Sequence, residues 1–534
     1  MDLNVMEFPI AVKVELDDGW IRLEKNADTW QGGGVELTLR STPGKHSWVL
    51  SAPEVSVKRV LMRWNHGIRG GVKLYGDHWE RAYGDLEWRG IVPDRIMPWY
   101  FLVHDGQRTF GIGVKTGTSS LCHWEMDDRG VTLMANVMCG PKGVKLGQRE
   151  LTFAQIVQYQ SQEGESAHES AQALCRLMCP NPILPDHPIY GGNNWYYAFG
   201  QFRPEDAMAD SLFMAELTGD NAVRPYMVLD DGWQMNGGSY SANGGPWTGN
   251  RFFPDMKRLA EDMTAAGVAP GIWCRPLLTF ERVPENWALP SSIGKVLDPS
   301  IPEVLELVAS DIRRMHDWGY RLIKHDFSTF DILNEWGNSL GANPSRQAQL
   351  FHDQSRTTAE IIVDLYRTIA EAAGTSLVMG CNTISHLAAG LFAIQRTGDD
   401  VSGVGWERTR RMGVNTLGFR MHQHGTLYSH DADCVGITAS TPWNYAKQWL
   451  DLVARSGTPL FMSVSPSLAT EEQKRRIKEA FQIAVTVGQH QAVPLDWLDN
   501  NCPSRWQFGA ETIEYDWYGD SGVRNEDKDN TWWR

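Results

Sequence analysis

Aspartates recur along this chain in one kind of place, directly after short apolar runs. RPYMVLDD ends in Asp230 and Asp231, YRLIKHD in Asp326, LFAIQRTGDD in Asp399 and Asp400, and HGTLYSHDAD carries His430, Asp431 and Asp433. With 65 acidic residues in 534, an adjacent Asp pair is common by chance, so the shared placement carries the weight. Paired carboxyls about 5–5.5 Å apart are the tools of retaining glycoside hydrolysis: one, ionised, attacks the anomeric carbon, and the other, protonated, helps the leaving group depart. If YRLIKHD is a strand, alternation puts Lys324 and Asp326 on its inner face and His325 on its outer face. A lysine beside Asp326 would keep it ionised, which makes Asp326 the expected nucleophile. Arg396 and Asp400, across the turn RTGDD, would bring the acid/base, while Asp399 or Asp400 could instead cap a following helix. Trp195 in GGNNWYYAFG and Trp233 in LDDGWQ suit the walls of a sugar pocket, with Asp230 and Asp231 accepting from hydroxyls.

HQHGTLYSHDADC supports a competing chemistry, because His422, His424, His430, Asp431, Asp433 and Cys434 could hold a metal that activates water. Against it, His422 and His424 fall at the end of an expected helix and no ligand set occurs at the other run ends. No metal or cofactor is therefore expected.

The elements that would position these residues are βαβ units. Eight apolar runs (IYGGNNW, RPYMVLDD, VAPGIWC, YRLIKHD, SLVMGCN, LFAIQRTGDD, HGTLYSHDAD, TPLFMSVS) alternate with helical stretches such as PEDAMADSLFMAELTG and PEVLELVASDIRRMHDWG. Eight units in roughly 300 residues predict an α/β fold, a (β/α)₈ TIM barrel over 181–495, with the active site at the C-terminal ends of its strands. Residues 1–180 read instead as short β-branched and aromatic strands, an N-terminal β-sandwich domain closed by the helix ESAHESAQALCRLM. Residues 496–534 form a short C-terminal extension, expected to lie on the barrel or fray. Within the sandwich, residues 75–95 (YGDHWERAYGDLEWRGIVPDR) lack a clean period and read as a long functional loop. Exposed Trp79, Tyr83 and Trp88 would be costly, so the loop is expected to cover the barrel mouth and lend Trp79 to it.

Composition excludes several classes. A formal charge of −15 and no basic stripe argue against nucleic acid. No apolar stretch reaches the roughly 18 residues of a membrane span, so no membrane is expected as a partner. Eight cysteines in a chain this long are too sparse for a disulfide framework. The start lacks the basic end and apolar run of a signal peptide, which gives a cytoplasmic expectation, periplasmic or secreted if a leader has been trimmed. The 23 Trp residues favour carbohydrate only mildly. The partner expected is an oligosaccharide or glycoconjugate; the sequence leaves a homo-oligomer open.

Taken in order, GGNNWYYAFG, YMVLDDGWQ, FFPDMKRLAEDMTAAGVAPGIWC, YRLIKHDF, GCN, QRTGDD, SHDAD and GTPLFMS resemble the α-galactosidase clan, glycoside hydrolase families 27 and 36, along 190–490. The last stretches are also similar to raffinose synthases, and the leading sandwich is more like family 36. The resemblance implies a retaining α-galactosidase with Asp326 as nucleophile and Asp400 rather than Asp399 as acid/base. It places Asp230 and Asp231 on the galactose hydroxyls at C4 and C6, and Lys324, Arg396, Trp195, Cys381 and Asp433 on sugar-binding positions. Asn382 stands where many relatives have Glu, and Ser385 where they have a bulkier residue, both near C2 of the sugar. The family 36 signature CxxGxGR is missing. An α-N-acetylgalactosaminidase, a galactosyl transferase and a catalytically idle sugar-binding protein remain alternatives on the same fold.

Overall fold

The computed structural model describes residues 3–42, 45–68, 70–238, 242–290, 294–487, 492–519 and 522. Eight parallel strands form a barrel, in the order Tyr190–Asn193, Tyr226–Leu229, Ala269–Cys274, Leu322–His325, Leu377–Gly380, Ile394–Arg396, Ser429–Gly436 and Leu460–Ser463. Each corresponds to one of the eight apolar runs. Most are buried along their whole length, as parallel strands covered on both faces must be. The seventh is broken: Ser429–Asp431 pairs with the sixth strand, Cys434–Gly436 pairs with the eighth, and Ala432–Asp433 make the bend. The eighth pairs in turn with the first, which closes the barrel.

The outer helices start where their sequences say they should. Helix Thr358–Ala372 opens with a reciprocal cap between Thr357 and Glu360, and Pro204–Thr218 and Pro302–Asp317 open on proline, whose missing N–H is an orphan there anyway. The helix expected to end near His422 is a run from Trp406 to Gln423 with a widened turn at Arg410–Asn415, while Trp443–Ser456 and the short Trp195–Ala198, Ser328–Leu333 and Ser385–Ala388 go beyond the helices named from sequence.

Ahead of the barrel, a six-stranded and an eight-stranded antiparallel sheet make the sandwich, followed by the helix Ala167–Met178. Strand Arg59–Asn65 alternates buried and part-exposed residues, the signature of a sheet with one core face. Trp30, Trp48, Trp64 and Trp124 fill that core, and Trp233, Trp247, Trp273 and Trp449 are equally buried in the barrel. Much of the tryptophan surplus is packing.

The C-terminal extension folds onto both domains. It forms a small antiparallel sheet (Val493–Pro494, Arg505–Phe508, Glu511–Glu514) and seats Trp497 among Tyr75, Trp88, His168, Phe419 and His422. Its last segment, from 523, lies outside the described residues.

Candidate active site

Lys324 points into the barrel and His325 away from it, onto the Tyr366 and Phe392 rings at 5.6 Å each. Asp326 follows directly at the strand's mouth end, 9% exposed. Its partners differ from the sequence expectation, because Lys324 Nζ donates to Asp230 at 2.7 Å instead. Three neutral donors hold Asp326: Trp273 Nε1 at 3.1 Å on Oδ2, and the backbone N–H of Phe327 at 2.8 Å and of Asn382 at 3.2 Å on Oδ1. Every one of these donates, which suits a carboxylate that can only accept. Phe327 carries a φ of 62°, a left-handed backbone that a phenylalanine adopts at a cost of about 1–3 kcal/mol, and this conformation accompanies the amide aimed at its neighbour's carboxylate.

Beside it, Asp230 accepts from Lys324 and from Asn193 Nδ2, both at 2.7 Å. Asp231 accepts from Gln234 Nε2 at 2.6 Å and Gly238 N–H at 3.1 Å, and burial pushes its carboxyl up to about 7. Trp195 sits half-buried at the start of a short helix after the first strand, its ring 5.7 Å from Phe199. Trp233 is no sugar wall: it is 0% exposed, donates to the Trp273 carbonyl at 3.0 Å and packs on Trp247 and Trp318. It fills the barrel's upper layer and so backs Trp273, which holds Asp326.

Across the mouth the sixth and seventh strands meet in a charged knot. Arg396 reaches Asp400 at 3.0 Å, Asp431 at 2.9 Å and Asp433 at 3.0 Å. Asp433, at the bend of the seventh strand with a φ of 67°, also accepts from Tyr196 OH and, at 2.9 Å, from Val401 N–H. Asp399 and Asp400 have different surroundings. Asp399 is 4% exposed and clamped between Arg81 at 2.9 Å and Arg408 at 2.7 Å, whereas the Asp400 side chain is 24% exposed. Neither caps the helix that follows, whose cap position is Gly405. Burial pushes the Asp400 carboxyl up, but the charges of Arg396, Arg81, Lys324 and Arg408 outweigh it and hold it below the usual value.

Arg81 comes from the sandwich. The 75–95 loop lies against the barrel mouth, with Ala82 N–H donating to the Thr397 carbonyl and Asp399 N–H to the Ala82 carbonyl, both at 2.9 Å. Gly84 lets the loop approach the barrel, since a Cβ there would stand 2.6 Å from Arg411 Cβ. The widened turn at Arg410–Asn415 holds the same loop, since Asn415 accepts from Leu86 N–H and donates to the Leu86 carbonyl. Glu80, fully buried, accepts from Asn382 Nδ2, from Tyr83 OH and, at 2.8 Å, from Gly337 N–H. Arg81 Nη1 lies 3.8 Å from Cys381 Sγ, and its guanidinium stands over the Trp336 ring at 5.7 Å. Trp79, expected here, is elsewhere: 3% exposed, it donates to the Gly341 carbonyl at 2.9 Å and packs edge-on against Trp99 and His123. Its indole is anchored in the seam between domains, and its two charged neighbours take the place at the mouth. The signal for them was present, since Glu80 and Arg81 are an opposite-charge pair inside an aromatic loop, where burial demands partners.

The metal reading finds its donors engaged by protein. His422 shares a hydrogen bond with Tyr100 OH, His430 with Gln423 Oε1, His424 Nδ1 accepts from His430 N–H, and both aspartates face Arg396. Among the described residues no group of three or more His, Cys, Asp or Glu could hold a metal ion. None of the described helices is long and apolar enough to cross a membrane.

No protein-family model matches the chain, and no curated protein matches it in sequence. Solved structures do. An α-galactosidase from Thermus thermophilus, solved with p-nitrophenyl α-D-galactopyranoside, superposes with a TM-score of 0.60 at 16% identity over 95% of this chain and 99% of that one. The family 36 α-galactosidase AgaA from Geobacillus stearothermophilus gives 0.61 at 15% over 89% and 75%. An α-galactosidase from Lactobacillus brevis gives 0.63 at 13% over 93% and 76%. The chain thus has the fold of these α-galactosidases, a TIM barrel preceded by a β-sandwich.

Proposed function

We propose that the protein is a retaining α-glycosidase that removes terminal α-linked galactose. The observation that carries the reading is the pair of unlike carboxyls beyond the ends of strands four and six: Asp326 is held by neutral N–H donors, and Asp400 is the more exposed of its pair, its arginines favouring the ionised form in the free protein. Different surroundings are what two carboxyls need in order to divide the labour of attack and protonation. In the first step an Asp326 oxygen bonds to the anomeric carbon, the glycosidic C–O bond breaks, and Asp400 gives its proton to the departing oxygen. In the second, water attacks the same carbon, returns a proton to Asp400 and releases Asp326. Asp230, Asp231 and Lys324 line the sugar side, and galactose is supported by the neighbours solved with galactosides.

Initial rates on nitrophenyl α-galactoside, α-N-acetylgalactosaminide, α-glucoside and β-L-arabinopyranoside test the sugar, and the anomeric proton followed by NMR tests the stereochemistry. Preference for the α-galactoside with α-galactose formed first is expected. A β-anomer appearing first, or no turnover of any of the four, would sink the reading.

A further inference from the structure

Arg81 belongs to the sandwich by sequence and to the barrel mouth by position. It is 6% exposed at the side chain, 2.9 Å from Asp399 Oδ1 and 3.7 Å from Asp400 Oδ1. Burying a guanidinium this far is unfavourable unless its charge is matched, and Asp399 supplies the match. Asp399 is in turn gripped from the other side by Arg408, which also donates to the Asp400 carbonyl at 2.7 Å. Two arginines from separate elements therefore fix Asp399 and leave Asp400 as the carboxyl of the pair open to the mouth.

We propose that Arg81 is a positioning residue for Asp400: reaching in from the sandwich, it locks Asp399 out of the chemistry and sets, together with Arg396, the charge that Asp400 feels. The proposal rests on the reading of Asp400 as acid/base. The groups facing Asp400 are Arg396 at the end of the strand before it, Lys324 on the fourth, Arg408 on the following helix and Arg81 on the loop, while Asp399 shares Arg81 with it and Asp433 shares Arg396. Tyr196, after the first strand, adds a neutral phenol that burial and Asp400 together keep protonated. Asp431 and Asp433 keep Arg396 paired even when it lets go of Asp400, and Asp399 does the same for Arg81. Charge around the acid/base is thus held in place through the catalytic cycle, and part of it comes from another domain.

Opposite charges within about 4–6 Å move a carboxyl by roughly 1–3 pH units, so the readout is the alkaline limb of kcat/KM, which reports the acid in the free enzyme. Arg81→Gln removes a cation and should shift that limb upward by about one unit. Asp399→Asn, which removes an anion and keeps hydrogen-bonding capacity, should shift it downward. Arg81→Lys should leave it close to wild type. Opposite-signed shifts from the first two variants support the proposal, and Asp399→Asn alone still decides its sign if Arg81→Gln does not fold. Lower rates with an unmoved limb in both variants would mean that Arg81 is structural and would overturn it. Asp400→Asn, compared on dinitrophenyl α-galactoside and on melibiose, tests the underlying reading separately. A much larger loss on melibiose is expected, because only that poor leaving group needs the proton. Equal losses would remove Asp400 from the acid/base role and the Arg81 proposal with it.

Discussion

The two sides of the candidate site are built on different principles. On the fourth-strand side, Asp326 is held by neutral donors that all come from the barrel: an indole from strand three, its own successor's amide and the amide after strand five. On the sixth-strand side, Asp399 and Asp400 are held by charge, from Arg396 and Arg408 of the barrel and Arg81 of the sandwich. The first side draws its donors from the barrel, and the sandwich touches it only through Glu80, which accepts from the Asn382 side chain. The second is shared, so its electrostatics depend on how two domains meet.

Four measurements would break or sharpen that contrast. The largest effect is expected from Asp326→Ala, which should lower kcat/KM by about 10³-fold or more, roughly 4 kcal/mol of transition-state stabilisation, with the thermal midpoint within a few degrees of wild type. Retention of activity would end the proposed division of roles. Next, Trp79→Ala should destabilise the fold by about 3–5 kcal/mol, read from urea unfolding, while the protein that remains folded keeps nearly normal kcat/KM. A loss of kcat/KM in fully folded protein would return the indole to the site.

The Trp79 result also marks where sequence reasoning ran out. The barrel mouth was readable because four of the eight apolar runs lead into aspartates, and because alternation alone separates Lys324 from His325. Nothing local could show that Lys324 would be spent on Asp230, 94 residues earlier, or that Trp233 would sink beneath the site. The loop was harder still. Its rings had to be covered by something, and the sequence does not say whether barrel, sandwich or each other would do so. Trp99, His123 and the Gly341 carbonyl cover Trp79, leaving Glu80 and Arg81 to find partners 302 and 300 residues away at Asn382 and Cys381.

A third, smaller effect concerns pH. His168, His386 and His424 are buried, and burial lowers each to about 4. An unfolded histidine takes its proton near 6.5. Between about 6.5 and 4 the unfolded chain therefore binds protons that the folded one refuses, so stability should fall as pH drops through that window and level off below it. His386 stacks on Trp99 of the sandwich at 4.7 Å, and His168 packs on Trp497 at 5.8 Å, so the domain seam should loosen with the rest. Asp210 and Asp231, raised by burial to about 7, bind protons in the folded state over the same window and oppose this slope. The histidine part is therefore the difference in urea-midpoint slope from pH 7 to 4.5 between wild type and His386→Gln, and an unchanged slope would contradict the burial of a neutral imidazole. Smallest of all, Lys73→Ala removes an exposed ion pair to Asp499, 2.6 Å long, that ties the sandwich to the C-terminal extension. It should change stability by less than about 1 kcal/mol and leave kinetics alone, whereas a change in the pH profile would mean that the extension also tunes the mouth.

The short backbone pairing of Ala82 with Gly398 has a consequence in time. It joins two points more than 300 residues apart, and contacts of that span form late because chain entropy must be lost before they return anything. Barrel and sandwich each have their own sheets and can gather around them first, as domains generally do. Arg81 then reaches Asp399 only when the two dock. Helical signal should accordingly recover before the proposed α-galactoside turnover in a refolding experiment, with the interval between them measuring the docking step.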